Sequence, residues 1–300
     1  MVVNSTKLWQ EVVNSDFQLL ETFDAVVFNV HELRASIDLL PVIQRSARQR
    51  FIYFTSESAA YTSTPARELP HGYFNWTMTY KRDADVWFPY GRIVVSKSNR
   101  PLTELKSQWL DAVRMKSKKV LWIVSKCHTM SHRELYVDQL RQHIDVDIYG
   151  QCGNSSVDYA YLVNQYKFYL SFENSLCDDY VTESFFQTLQ KPLVPVVMGG
   201  ANYSRLAPDH SYIDATQRTP KELAAYLHEL DSDDESYLRF FDWKVNYTVE
   251  MGARRAFCHL CAKLHSSNPL KFYPTLVDEM GIRSQCHHHS LSWYKSWWAQ

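Results

Sequence analysis

The stretch KFYLSFENSLCDDYVTESFFQTLQKPLVPVVMGG, from Lys167 to Gly200, decides how the chain is read. It opens with a short apolar run, KFYLSFE (Lys167–Glu173), and crosses a polar loop. A helix from about Thr182 to Gln190 follows, and LVPVVMGG (Leu193–Gly200) closes the unit with a second apolar run. Short apolar runs bounded by turn residues read as buried strands, and strand, helix, strand at this spacing implies a parallel sheet with both faces covered. In such sheets ligands gather in the loops at the carboxyl ends of the strands. Glu173, Asn174, Asp178, Asp179, Tyr180, Thr182 and Glu183 therefore stand at a ligand-binding corner. Thr182 by itself reads as a helix cap. The corner as a whole supplies more: helix-start N–H groups for a phosphate, neutral hydrogen bonds from Asn174 and Tyr180, and a Glu183 carboxylate to accept from sugar hydroxyls.

The same alternation extends upstream. KKVLWIVS (Lys118–Ser125) and VDIYG (Val146–Gly150) read as strands flanking the helix RELYVDQLRQHI. An earlier block contains DAVVFNV (Asp24–Val30), a helix over ELRASIDLLPVIQRSARQR bent or ended near Pro41, RFIYFTSE (Arg50–Glu57) and a third apolar stretch, DADVWFPYG (Asp83–Gly91). A polar, basic segment near Lys116 to Lys119 separates the blocks. The expectation is an α/β chain of two Rossmann-like lobes with parallel sheets and an interlobe cleft, divided at 1–115 and 116–265, with a tail at 266–300 packing back on the lobes.

Composition narrows the function classes. The formal net charge is −1, with no long run of one sign, which disfavours a nucleic-acid groove; DSDDE (Asp231–Glu235) reads as solvated surface. Eight glycines form neither G-x-G-x-x-G nor G-x-x-x-x-G-K-[ST], and G-x-S-x-G and H-E-x-x-H are missing as well. Dinucleotide oxidoreductases, P-loop nucleotidases and common hydrolases lose their anchors.

FYLSFENSLCDDYVTE (Phe168–Glu183), followed by VPVVMGGANYSRLAP, closely resembles the donor-site signature of the alpha-1,3-fucosyltransferases. FNWTMTYKRDADVWFPYG (Phe74–Gly91), LWIVS…SHRELY…VDIYG (Leu121–Gly150) and FCHLC (Phe257–Cys261) are similar to further elements of that family, so the resemblance runs from about Asp24 to Leu264. It implies a GT-B architecture, a GDP-fucose donor, inversion at the anomeric carbon and no obligatory metal. It also implies a catalytic carboxylate at Glu57, the end of FIYFTSES, to take the proton from the acceptor hydroxyl. Arg133 matches the family's diphosphate-contacting arginine. Tyr169, Glu173, Asn174, Tyr180, Thr182 and Glu183 match its donor-site positions. The implied acceptor is a GlcNAc of an N-glycan, core or antenna; SLCDDYVTE and FCHLC resemble invertebrate members and incline the reading toward the core.

Two departures stand out. Where the family reads T-E-K, this chain reads Thr182-Glu183-Ser184, replacing a charged diphosphate contact with a neutral one about half as strong. Lys126, directly after LWIVS, is placed to compensate. A catalytically weak or inactive glycan-binding relative is the alternative this substitution suggests. The family also has another strand before the one matched by DAVVFNV, whereas only about two dozen residues precede it here, so the front end is expected to be incomplete. The resemblance then implies a Golgi-lumenal type II protein whose membrane anchor is absent from this sequence.

Sequons at Asn4, Asn75, Asn154, Asn202 and Asn246 are glycosylation candidates and point weakly to the secretory pathway. Cys127 and Cys152 follow two strands expected to be adjacent, which suits a disulfide. Cys258 or Cys261 is expected to pair with Cys286, leaving Cys177 free. C-x-x-C with His287-His288-His289 lacks zinc-finger spacing and is not read as a metal site.

Overall fold

The computed structural model describes residues 22–30, 45–62, 72–96, 101–154, 158–252, 254–266, 269–273 and 286–287. In chain order, the first half holds β1 (Ala25–Asn29), β2 (Arg50–Thr55), β3 (Trp76–Thr79), β4 (Val86–Trp87), β5 (Gly91–Val95), α1 (Leu102–Arg114), β6 (Lys118–Ile123), α2 (Arg133–Leu140) and β7 (Val146–Tyr149). The second half holds α3 (Tyr159–Gln165), β8 (Tyr166–Phe172), α4 (Glu183–Leu189), β9 (Val194–Met198), β10 (Ile213–Asp214), α5 (Pro220–Ser232), α6 (Asp234–Leu238), β11 (Tyr247–Met251) and α7 (Arg254–His265).

Two compact units are drawn from the described residues. One lies within Met1–Pro89, Cys177–Asp179 and Gly252–Cys286, the other within Tyr90–Leu176, Tyr180–Met251 and His287–Gln300. Each is built on a parallel sheet, so the α/β, GT-B-like class expected from the sequence holds. The strands expected at DAVVFNV, RFIYFTSE, KKVLWIVS, VDIYG, KFYLSFE and LVPVVMGG all form. The helix expected over ELRASIDLLPVIQRSARQR falls mostly outside the described residues, as does the Asn4 sequon.

The first unit orders its sheet β1-β2-β3-β4, all parallel. Its third strand is β3, which the sequence reading passed over in favour of DADVWFPYG; of that stretch, Val86–Trp87 forms β4 and Gly91 starts β5. Apolar and polar residues alternate along β3, the pattern of a half-exposed strand, yet all four of its residues are buried. Ala256 and Leu260 of α7 pack against Val27, Ile52, Trp76, Met78 and Val86. This coverage assigns α7 to the first unit, and the expected boundary at 265 does not hold.

The boundary at 115 fails for a similar reason. β5 pairs antiparallel with β11, from Gly91 opposite Met251 to Val95 opposite Tyr247. Trp109 and Val113 of α1 are buried in the second unit's core with Val120, Phe168 and Phe241. That unit's sheet runs β10-β9-β8-β6-β7, parallel throughout, and every residue of β8 is buried. α5 starts with a full capping box: Thr219 Oγ1 accepts from the Glu222 N–H, and Glu222 accepts from the Thr219 N–H.

The tail is described at residues 269–273 and 286–287. Tyr273 N–H donates to the Phe74 carbonyl at 3.1 Å, and the Gly72 N–H donates to the Tyr273 carbonyl at 3.1 Å, so this stretch lies against the first unit. Asn75 sits beneath it, 1% exposed. Its Oδ1 accepts from the Phe51 N–H at 2.8 Å, and its Nδ2 donates to the Lys271 carbonyl at 3.0 Å. Asn75 is therefore a buried structural amide and not a glycosylation site of the folded protein, because a three-residue motif carries no information about burial. Asn75→Gln is expected to lower folding stability by about 1–3 kcal/mol, since it strands two buried backbone partners. Chemical denaturation checks the loss, and glycosidase treatment should shift no peptide containing Asn75. The remaining described sequon asparagines, Asn154, Asn202 and Asn246, are exposed.

The cysteines correct a second expectation. Cys127 and Cys152 are bridged as anticipated. Cys286 pairs with Cys177, not with Cys258 or Cys261: the two backbones form an isolated antiparallel bridge with Cα atoms 3.8 Å apart. Cys258 and Cys261 are free and exposed on α7.

Candidate functional site

The carboxyl ends of β6 and β8 gather most of the residues singled out in the second unit. β8 ends at Phe172, and α4 begins ten residues after Glu173. His132 takes a left-handed conformation, φ 50°, and turns the chain directly into α2, whose first residue is Arg133. The Arg133 guanidinium donates to the Phe172 carbonyl from Nη1 and to the Lys126 carbonyl at 3.4 Å from Nη2, and lies over the Trp122 ring at 5.6 Å. Arg133 thus brings a delocalised cation to the edge where a ligand of such a sheet sits. Lys126 is exposed on the loop after β6, next to Cys127. The Cys127–Cys152 bridge ties that loop to the turn after β7. Gly150 there has φ +92°, and a Cβ on it would meet the Val124 carbonyl oxygen at 2.6 Å, so only glycine lets the turn approach β6 this closely.

Asn174 and Glu173 anchor the loop that follows. The Asn174 carbonyl accepts from the Ser131 N–H at 3.1 Å, and the Ser131 hydroxyl donates to the Glu173 carbonyl at 2.7 Å. Glu173 is 2% exposed. Its Oε1 accepts from both the backbone N–H of Thr182 at 2.8 Å and the Thr182 hydroxyl at 3.2 Å. Burial raises its pKa to about 7, against the opposing pull of the Thr182 hydrogen bonds and the Arg133 charge. Thr182 occupies the cap position of α4, yet its hydroxyl turns to Glu173 instead of closing the helix. Glu183 opens α4 and is exposed; Ser184 is half-buried, its carbonyl accepting from the Ser171 hydroxyl at 3.3 Å.

Tyr169 and Tyr180 occupy a different place from the other expected donor residues. Tyr169 is buried among Leu121, Leu162, Val163, Tyr166 and Leu193, and burial raises its pKa. Tyr180 is 1% exposed, its ring 6.4 Å edge-on from Tyr90. Both side chains are buried, and Tyr169 lies within electrostatic reach of Glu183 and Arg133. Ser131, Gly199 and Tyr203 belong to the corner and were not singled out from the sequence; the Gly199–Gly200 pair after β9 was the only local signal.

Glu57 lies in the first unit, half-buried just beyond the end of β2. Its N–H donates to Thr55 Oγ1 at 3.1 Å, and its carbonyl accepts from Thr62 Oγ1 at 3.4 Å. The Ser58 carbonyl accepts from the Tyr61 and Thr62 N–H groups, both at 3.0 Å, which closes the turn behind it. These bonds fix the backbone of Glu57 at the sheet's carboxyl edge, where ligands of such sheets gather.

Comparison with known proteins follows from this geometry. Residues 113–279 match the model described as glycosyltransferase family 10 (fucosyltransferase) C-term, and residues 10–91 match fucosyltransferase, N-terminal. Alpha-(1,3)-fucosyltransferase C of Drosophila melanogaster is 35% identical over 94% of this chain and 67% of its own length. Glycoprotein 3-alpha-L-fucosyltransferase A of the same fly is 41% identical over 68% of this chain and 42% of its own length. The bovine 3-galactosyl-N-acetylglucosaminide 4-alpha-L-fucosyltransferase FUT3 is 35% identical over 85% of this chain and 70% of its own length. A crystal structure of an alpha1,3-fucosyltransferase with GDP-fucose superposes with a TM-score of 0.55 at 15% identity, covering 84% of this chain and 81% of that one, a likeness of fold.

Proposed function

The chain belongs to glycosyltransferase family 10, the fucosyltransferases, and from that premise we propose that it moves L-fucose from GDP-fucose to a GlcNAc hydroxyl of a glycoprotein glycan, in alpha-1,3 linkage and with inversion. One observation carries the reading: Arg133, Asn174, Thr182, Glu183 and Ser184 are drawn together around the loop from β8 to α4. Arg133 supplies positive charge for the departing diphosphate. Glu183 accepts hydrogen bonds from ribose or fucose hydroxyls. Glu57 takes the proton of the acceptor hydroxyl as its oxygen bonds to fucose C1, while the C1–O bond to GDP breaks and the diphosphate leaves with the electron pair. Attack opposite the leaving group inverts the anomeric carbon. No metal ion is assigned a step. A glycoprotein acceptor accords with the name of the fly relative, glycoprotein 3-alpha-L-fucosyltransferase A. A Golgi-lumenal setting fits the family, and among the described residues no helix is long and apolar enough to cross a membrane.

A transfer assay with GDP-fucose and a panel of N-glycan acceptors tests this proposal. Fucosylated product supports it; a protein that binds no GDP-fucose and transfers nothing overturns it. Ser184 favours the second reading, a weak or inactive relative, because it offers no charge where the family has lysine. Ser184→Lys is expected to lower the KM for GDP-fucose by about fivefold to tenfold, the difference between a neutral and a charge-assisted hydrogen bond. If Lys126 already supplies that charge, Ser184→Lys gives no gain and Lys126→Ala weakens donor binding instead.

A further inference from the structure

A buried carboxylic acid, a buried hydroxyl and a glycine meet beside the loop from β8 to α4. Glu173 holds the N–H and the hydroxyl of Thr182 on a single oxygen. Tyr203 follows β9, is 5% exposed, and has a buried hydroxyl that finds no hydrogen-bond partner among the described residues. Gly199 lies between them: a Cβ there would stand 2.5 Å from Tyr203 Oη and 3.2 Å from Glu173 Cγ. Both side chains therefore converge on the space that any residue other than glycine would fill.

We propose that Glu173 is a positioning residue for the transfer reaction: through Thr182 it fixes the start of α4, and with it Glu183 and Ser184, while Gly199 and Tyr203 shape the buried slot that holds its carboxyl group. The residue stands in the donor signature yet acts from behind the site. The neutral acid is the form burial favours, and it has a proton to offer toward the space shared with the Tyr203 hydroxyl. The anion accepts the Thr182 bonds more strongly. The charged groups bearing on this choice are Arg133 from α2, which favours the anion, and Glu183 from α4, which disfavours it.

The sign of the stability effect follows. The folded-state pKa, about 7, lies above the ordinary 4.5, so the folded chain holds the proton more tightly. Stability is fully present below the ordinary value and declines as pH rises from there through about 7. Donor positioning runs the other way, improving as the anion forms.

The inference rests on the GDP-fucose reading, and its test separates the two. Donor KM, kcat and melting midpoint are measured from pH 5 to pH 8 for wild type, Glu173→Gln, Glu173→Ala and Gly199→Ala. Glu173→Ala should raise the donor KM by about tenfold by stranding the Thr182 N–H. Glu173→Gln should recover most of that affinity, since its amide oxygen still accepts from Thr182, and should flatten the pH dependence of both KM and melting. Gly199→Ala should also raise KM, because the added methyl would press on Tyr203 Oη and Glu173 Cγ. Glutamine failing as badly as alanine would make Glu173 a direct anionic contact and overturn the proposal, as would a Glu173→Ala KM equal to wild type. If Glu173→Ala does not fold, the melting slope of the Gln variant decides: an unchanged slope overturns the proposal. Wild type without GDP-fucose binding sinks the functional reading instead, while the melting slope still reports on Glu173.

Discussion

Glu57→Gln is expected to slow fucosyl transfer by about 10²–10⁴-fold, the range that loss of a positioned general base costs. Glutamine has nearly the same shape but cannot take a proton at neutral pH. The backbone bonds that hold position 57, from its N–H to Thr55 Oγ1 and from Thr62 Oγ1 to its carbonyl, do not involve the carboxylate, so the turn should persist. GDP-fucose affinity should be unaffected, because the donor-binding groups proposed above all belong to the second unit. Transfer of labelled fucose and release of GDP, measured beside calorimetric donor binding, check both halves. A variant that retains wild-type turnover would assign the proton to another group and withdraw the mechanism.

The second large effect concerns stability. The Cys177–Cys286 bridge joins residues 109 apart in sequence, whereas Cys127–Cys152 spans 25. Closing a loop of that greater length removes more unfolded-state entropy, about 4.7 kcal/mol against about 3.5 kcal/mol on the chain-entropy relation. Replacing Cys177 and Cys286 together with Ser should therefore cost more stability than replacing Cys127 and Cys152, when both pairs are followed by denaturant unfolding under non-reducing conditions. The reverse order would show that local geometry outweighs chain length here. The shorter bridge has its own functional reading: it braces the loop that carries Lys126 and accepts from Arg133, so its loss should show in donor KM beyond any loss of stability.

The parallel strands were legible because their burial on both faces writes continuous apolar runs into the sequence, as in KFYLSFE and KKVLWIVS. β3 was not, since its Trp-Thr-Met-Thr hides two hydroxyls in a buried strand and overlaps a glycosylation motif. Thr77 repays that burial locally, its N–H donating to Asp85 and its hydroxyl accepting from the Asp85 N–H. The corner between β8 and α4 was readable as a place, but not the contacts inside it. Glu173 and Glu183 look alike in sequence, and only burial separates a carboxyl group that braces the loop from one that faces outward. The Cys177–Cys286 pairing and the placement of α7 depend on contacts between distant residues, for which no local pattern exists.

The packing of α7 has a bearing on biosynthesis. Val27, Ile52, Trp76 and Met78 leave the ribosome long before Ala256 and Leu260, which cover them. A nascent chain must therefore carry an apolar sheet face without its lid while most of the second unit is made, and exposed faces of that kind invite aggregation. Yield should depend on chaperone supply during synthesis, and truncation before α7 should leave the first unit insoluble even though its four strands are intact.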